Sequence, residues 1–210
     1  AQRDGDRLRF ADPEGLAHEV EVYDGPDAPL VANAPDVPSE HALQGFAAVR
    51  AFASQPADSA PVLAGVLGMR DEGVGRWRVA GGARSGEVLY DEPPAARGLP
   101  GAGTVHHVAF ATRMEEQDAW QERVQRAGLR PTPVIDRFWF RSVYFREPSG
   151  VLFELATLGP GFDVDEDREH LGERLVLPPA FEHLRDRVEQ VLTPLPDPRA
   201  ERAAAAARAS

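Results

Sequence analysis

The chain has no cysteine, which excludes disulfides, thiolate metal sites and cysteine nucleophiles and leaves the redox compartment open. It also lacks a signal-peptide pattern and any apolar run near the ~20 residues a membrane-spanning helix needs. Positive charge is scarce. Lys and Arg number 23 against 34 Asp and Glu, for a formal net charge of -11 and a pI near 5.0. That balance argues against nucleic acid or an anionic membrane as partner. Gly81-Gly82 and Gly101-Ala-Gly103 open no helix in the way a phosphate loop requires, and no serine nucleophile elbow is present. These absences suit a cytoplasmic chain whose partner is a small molecule.

What is present suffices for a core. With 210 residues, 42% of them hydrophobic, the chain can hold one large domain or two small ones. It opens at Ala1 without Met and reads as strand by Arg7-Leu-Arg-Phe10, which suggests a piece of a longer protein lacking roughly 100 upstream residues, judged by ordinary module size.

Two segments repeat. Phe10-Ala-Asp-Pro-Glu-Gly-Leu-Ala-His-Glu19 and Phe145-Arg-Glu-Pro-Ser-Gly-Val-Leu-Phe-Glu154 share the order Phe, acid, Pro, Gly, aliphatic, Glu at fixed spacing. Each reads as a hairpin: a strand, a Pro/Gly turn, and a second strand ending on a carboxylate. Repeats of this kind mark duplicated modules. Residues 104–157 read as βαβββ: a strand over Val105–Phe110, a helix over Glu115–Ala127, and strands near Thr132–Arg137, Arg141–Arg146 and Val151–Ala156. The helix carries Ala119, Trp120, Val124 and Ala127 on one stripe, with Gly128 as its C-cap. A weaker copy spans 42–91, with a strand near Gln44–Phe52, a helix near Ala57–Leu67 closed by Gly68, and strands near Gly75–Ala80 and Gly86–Tyr90. Residues 1–24 read as the end of an earlier module, and 25–41 and 92–103 as linkers. An acidic, partly helical extension follows at 158–196, and 197–210 as a disordered tail. The fold class is α+β, with paired βαβββ modules forming curved mixed sheets around a cup.

Alternation assigns the faces. Val105, His107 and Ala109 share one side of the first strand of the last module, with His106 on the other. Leu152, Glu154 and Ala156 oppose Phe153 and Leu155, which suit a helix. One assembly brings His107, Tyr144 and Glu154 together on the concave face. A carboxylate there is costly unless paired or metal-bound. Each residue also has a plainer reading: His107 as a core imidazole bonded to a carbonyl, Glu154 as a half-exposed edge residue, Tyr144 as an amphipathic core residue, Arg137 and Arg141 as solvated hairpin charges. Glu19, the repeat counterpart of Glu154, and its neighbour His18 form a second candidate pair. His41, His170 and His183 read as surface residues.

These stretches, with Gly101–Phe110, Pro133–Arg137, Ser142–Glu154 and Gly159–Glu166, resemble the vicinal oxygen chelate superfamily of glyoxalases, bleomycin-resistance proteins and extradiol dioxygenases. The likeness is nearest to hydroquinone-type ring-cleaving dioxygenases. The resemblance implies one Fe(II), with His107 and Glu154 as two of its ligands. It implies that His106, Arg137 and Tyr144 orient or protonate the substrate, and that the partners are a small aromatic molecule and O2. The resemblance implies that the remaining histidine ligand lies on a first strand upstream of Ala1; Ala47 stands where other extradiol enzymes place a histidine. Alternatives are a glyoxalase-like metal lyase or isomerase using Glu19 and His18, and a metal-free drug-binding module with a cleft lined by Phe138, Trp139 and Phe140. An unpaired module face offers a surface for a homodimer.

Overall fold

Three small sheets follow one another along the chain in a computed structural model that describes residues 1–31, 37–82, 84–96, 98, 99, 101 and 103–194. β1 (Gln2–Asp4), β2 (Arg7–Ala11) and β3 (Ala17–Glu21) make an antiparallel sheet in that order. β4 (Ala48–Phe52), β5 (Arg70–Gly73), β6 (Arg76–Ala80) and β7 (Ser85–Asp91) are ordered β4-β7-β6-β5. β8 (Val108–Thr112), β9 (Ile135–Asp136), β10 (Arg141–Arg146) and β11 (Leu152–Thr157) are ordered β8-β11-β10-β9. The last two sheets share one topology, each with a parallel pair, β4 with β7 and β8 with β11. The expected α+β class of mixed sheets is what the chain adopts.

A parallel pair needs a crossover, and the two crossovers differ. In the last sheet it is α1 (Gln117–Arg126), entered by a 3-10 turn at Met114–Glu116. The inward stripe is Gln117 and Val124, both buried, with Trp120 half-buried, whereas Ala119 and Ala127, expected on it, are exposed. The helix is rotated toward Gln117, whose amide donates to the Leu155 carbonyl at 2.7 Å and accepts from the Thr112 hydroxyl at 2.7 Å. Gly128, at φ +82°, ends it as expected, with its N–H on the Gln125 carbonyl. In the middle sheet the expected helix over Ala57–Leu67 is broken into a 3-10 turn at Pro56–Ser59 and a π-helical turn at Pro61–Val66. Pro61 has no N–H to give the preceding turn and its ring crowds that carbonyl.

Strand ends also shift. The strand expected over Val105–Phe110 begins only at Val108, where pairing with Phe153 starts, so His106 and His107 lie in the extended approach to it. The strand expected at Thr132–Arg137 shrinks to Ile135–Asp136, because Pro131 and Pro133 offer no donors. The strand expected from Gln44 starts at Ala48, after Gly45 at φ +110°. β5 carries only charged and glycine residues, all exposed, and has no apolar period to announce it.

One core serves both four-stranded sheets. Val62, Leu63, Val66, Trp77 and Val88 belong to the same buried cluster as Val124, Val143, Phe145, Phe153 and Leu155. Polar clamps join the sheets as well: the Ser59 hydroxyl donates to the buried Glu147 carboxylate, and Arg123 donates to the Gly65 carbonyl at 3.0 Å. A cavity of about 270 Å3 remains between edge strands β4 and β8, lined by Ala47, Val49, Val79, Val108 and Phe110 among others. The C-terminal extension forms 3-10 turns at Phe162–Val164, Arg168–His170 and Pro179–Leu184, then α2 (Arg185–Val191). The tail expected at 197–210 lies outside the described residues. Among the described residues no helix is long and apolar enough to cross a membrane.

β5 and β6 are joined by Val74 and Gly75, at φ +50° and +71°. Left-handed backbone at both positions of a two-residue hairpin suits Asn-Gly, and a β-branched residue there is strained. Val74→Asn should therefore stabilise the fold by about 1 kcal/mol. A thermal melt of the variant that shows no rise in Tm would refute this reading of the turn.

Candidate functional site

The site is built around Glu154, in the middle of β11 and only 3% exposed. On one side the antiparallel register sets Tyr144 of β10 directly opposite it. On the other side the parallel register sets Ala109 of β8 opposite. Ala109 carries only a methyl group, and His107, two residues earlier on the same face, reaches across that gap. Its Nε2 lies 2.6 Å from Glu154 Oε2, and the buried Ser142 hydroxyl donates to Oε1 at 2.6 Å. Both carboxylate oxygens thus have donors, which removes much of the cost of burying the charge.

Around this pair the rings are ordered. His107 meets Tyr144 edge-on, with centroids 5.5 Å apart at 76°. His106 and His107 face each other through their Nδ1 atoms at 2.9 Å. With Nε2–H of His107 given to Glu154, its Nδ1 is the acceptor and His106 the donor. The Arg137 guanidinium lies over the Tyr144 ring, 5.7 Å from its centroid. Arg137 belongs to the β9–β10 turn, where Phe138 stands at φ +74°, a conformation that costs an L residue about 1–2 kcal/mol. All five residues singled out in the sequence, His106, His107, Arg137, Tyr144 and Glu154, therefore adjoin one another. Ser142 was not singled out, although its position two residues before Tyr144 puts it on the same face.

The donor chemistry suits a divalent cation. An imidazole nitrogen and a buried carboxylate oxygen point at one another, and both are ligands of open non-haem metal sites. Among the described residues, however, no group of three or more His, Asp or Glu side chains could hold a metal. The pair can supply two protein donors.

Glu19 has a different setting. Arg9 hydrogen-bonds it at 2.7 Å, and Arg7 and Arg50 stand at 3.2 and 3.6 Å. The Arg9 hydrogen bond, followed by the other two guanidinium charges, holds its carboxyl below the ordinary value against the opposing effect of burial. His18 stacks on Phe10 with its Nε2 3.7 Å from Asp12, so Glu19 and His18 do not form a ligand pair. The neighbouring face of the middle sheet is likewise ion-paired, with Arg76 and Arg78 on Glu87 at 2.6 and 3.5 Å. Phe138, Trp139 and Phe140 do not line an open cleft: Phe138 packs on Trp139, and Trp139 and Phe140 pack on Phe162 of the C-terminal extension. His41, His170 and His183 are exposed, as expected.

Four comparisons bear on this geometry. The model of the "Glyoxalase/Bleomycin resistance protein/Dioxygenase superfamily" matches residues 45–155. The chain is 35% identical over 202 residues to "Putative ring-cleaving dioxygenase MhqA" of Bacillus subtilis (strain 168), covering 90% of this chain and 64% of that protein. It is 32% identical over 196 residues to "Chlorohydroquinone/hydroquinone 1,2-dioxygenase" of Sphingobium indicum, covering 86% and 59%. A crystal structure of a "putative dioxygenase" from Bacillus subtilis superposes with a TM-score of 0.82 at 35% identity, covering 93% of this chain and 64% of the other. The chain spans less than two thirds of the length of each of these relatives.

The depressed carboxyl of Glu19 sets a pH dependence. Its contribution to stability is complete above the ordinary value of 4.5 and is lost as pH falls through the lower folded value. Acid unfolding of Glu19→Gln, followed by circular dichroism, should show a shallower loss of stability below that pH than the parent. Identical slopes would show that the arginine cluster does not bind the folded hairpin through this charge.

Proposed function

The chain belongs to the Glyoxalase/Bleomycin resistance protein/Dioxygenase superfamily, and from that premise we propose that it works in Fe(II)-dependent, extradiol-type ring cleavage of hydroquinones and related diphenols. The observation that carries this reading is the buried Glu154 carboxylate held against His107, with Tyr144 opposite and Arg137 above. The names of the relatives, ring-cleaving dioxygenases and a hydroquinone 1,2-dioxygenase, support the same class of substrate.

His107 Nε2 and Glu154 Oε2 would hold the metal. The chemistry that Fe(II) would supply there is joint binding of a diphenolate and O2 and a path for electron density between them. The surrounding residues have separate tasks. Ser142 fixes the Glu154 carboxylate through Oε1 and leaves Oε2 for coordination. With His107 Nε2 given to the metal, its proton would be held on Nδ1, where His106 Nδ1 would accept it and fix the imidazole plane. Arg137 offers a permanent positive charge beside Tyr144, favouring a deprotonated ring hydroxyl. Tyr144, across from Glu154 in the register, would donate its hydroxyl proton to an oxygen of the substrate during ring opening. The glyoxalase-like alternative loses its second carboxylate, because guanidinium groups enclose Glu19.

Anaerobic Fe(II) titration of the protein extended upstream to the length of its relatives, followed by oxygen uptake with methylhydroquinone, tests the proposal. His107→Ala and Glu154→Ala should each abolish iron binding, and Ser142→Ala should weaken it by about 10- to 100-fold, as loss of a residue that orients a ligand does. Full iron occupancy in either ligand variant would overturn that ligand's assignment. Iron binding without oxygen uptake on any diphenol would overturn the reaction.

A further inference from the structure

We propose that Trp139 and Asp165 are positioning residues, through which the C-terminal extension sets the Arg137 guanidinium over Tyr144. The consequence for substrate rests on the ring-cleavage reading above; the positioning itself does not.

Arg137 is an exposed arginine at the start of a four-residue connection between β9 and β10. Such a side chain ordinarily samples many rotamers. Here its backbone N–H donates to the Phe140 carbonyl at 2.8 Å, and the Phe138 N–H donates to Asp136 Oδ1 at 2.8 Å. Phe138 between them is left-handed, a strained state for a bulky residue that persists only where its surroundings over-determine it.

Those surroundings come largely from one place. The Trp139 indole N–H donates to Asp165 Oδ1 at 2.9 Å, and its carbonyl accepts from the Gly161 N–H at 2.9 Å. Its ring stacks on Phe162, with centroids 6.2 Å apart at 28°. Asp165 is held in turn, since Arg174 donates to its carbonyl at 3.0 Å while facing the Glu166 carboxylate at 3.6 Å. Backbone, ring and indole N–H of one residue thus all engage segment 161–165. The turn that carries Arg137 is closed from outside its own sheet. Nothing in a βαβββ module requires this segment, and its contacts converge on the loop beside the site.

The test reads Arg137 directly. In the ligand-free protein, NMR signals of the Arg137 side chain should carry a ring-current shift that disappears in Tyr144→Leu. Trp139→Phe and Asp165→Ala should collapse that shift, whereas Asp165→Asn, which keeps an acceptor for the indole, should retain it. Binding of methylhydroquinone to the iron-loaded protein, measured anaerobically, should weaken about two- to tenfold in the first two variants, the range for one lost hydrogen bond. In an Arg137→Ala background the same substitutions should add nothing. An unchanged Arg137 shift in both variants, or losses that add fully to that of Arg137→Ala, would overturn the proposal. If the unaltered protein binds no methylhydroquinone, the ring-cleavage reading fails, and the Arg137 shift still decides the positioning.

Discussion

The register of the β10–β11 hairpin is the constraint on which the site depends, and a single turn carboxylate governs it. Glu147, 2% exposed, accepts the Ser149 and Val151 N–H groups at 3.0 and 2.9 Å and the hydroxyl of Ser59 from the neighbouring sheet. The first two contacts close the turn, and the third joins the turn to the packing between sheets. Burial and the nearby Glu147 charge also push the Tyr90 phenol above its ordinary value. A slip of one residue in this hairpin would turn Glu154 toward α1 and bring Phe153 and Leu155 into the site. The chemistry of the concave face is therefore decided by a residue that points away from it.

The earlier hairpin repeats this turn, which shows what a repeated motif does and does not fix. Asp12 Oδ1 accepts the Glu14 and Leu16 N–H groups at 2.9 and 2.8 Å, the same two positions that Glu147 serves. Yet the carboxylates that end the two hairpins differ completely in company. Glu154 meets an imidazole and a hydroxyl; Glu19 meets guanidinium groups. The chain has no lysine, so every fixed cation is an arginine, and its fork can hold two carboxylates at once. Arg50 does so between Glu19 and Asp91, at 3.6 and 3.0 Å. A carboxylate already held by guanidinium charges has less to gain from a metal than one held by an imidazole and a hydroxyl.

Much of this was legible because short-range rules govern it. The bounds of β10, the glycine that ends α1 and the duplicated hairpin follow from alternation and turn chemistry. So does the facing of Tyr144 and Glu154. Other features depend on contacts that sequence patterns do not encode. β5 is a charged edge strand, recognisable only by its partner β6. Pro61 divides a segment whose composition is otherwise helical. His107 escapes the strand because the strand's end is set by where β11 begins, not by the run of residues that contains it. The aromatic triplet 138–140 pattern-matches a cleft, but Phe162, distant in sequence, fills it.

The site thus has two halves held by different parts of the chain. Glu154 and Ser142 sit on strands whose reverse faces, through Val143, Phe153 and Leu155, are the core itself, and His107 is held against Glu154 from the approach to β8. Their geometry can fail only if the sheet fails. Arg137, above the Tyr144 ring, depends on a strained turn and on a peripheral segment tied down by one indole hydrogen bond, a ring stack and a backbone contact. Local opening is easier where few buried apolar contacts must break, so the extension can loosen while the sheet holds. The surroundings of Glu154 are thereby insulated from changes at the rim that carries Arg137.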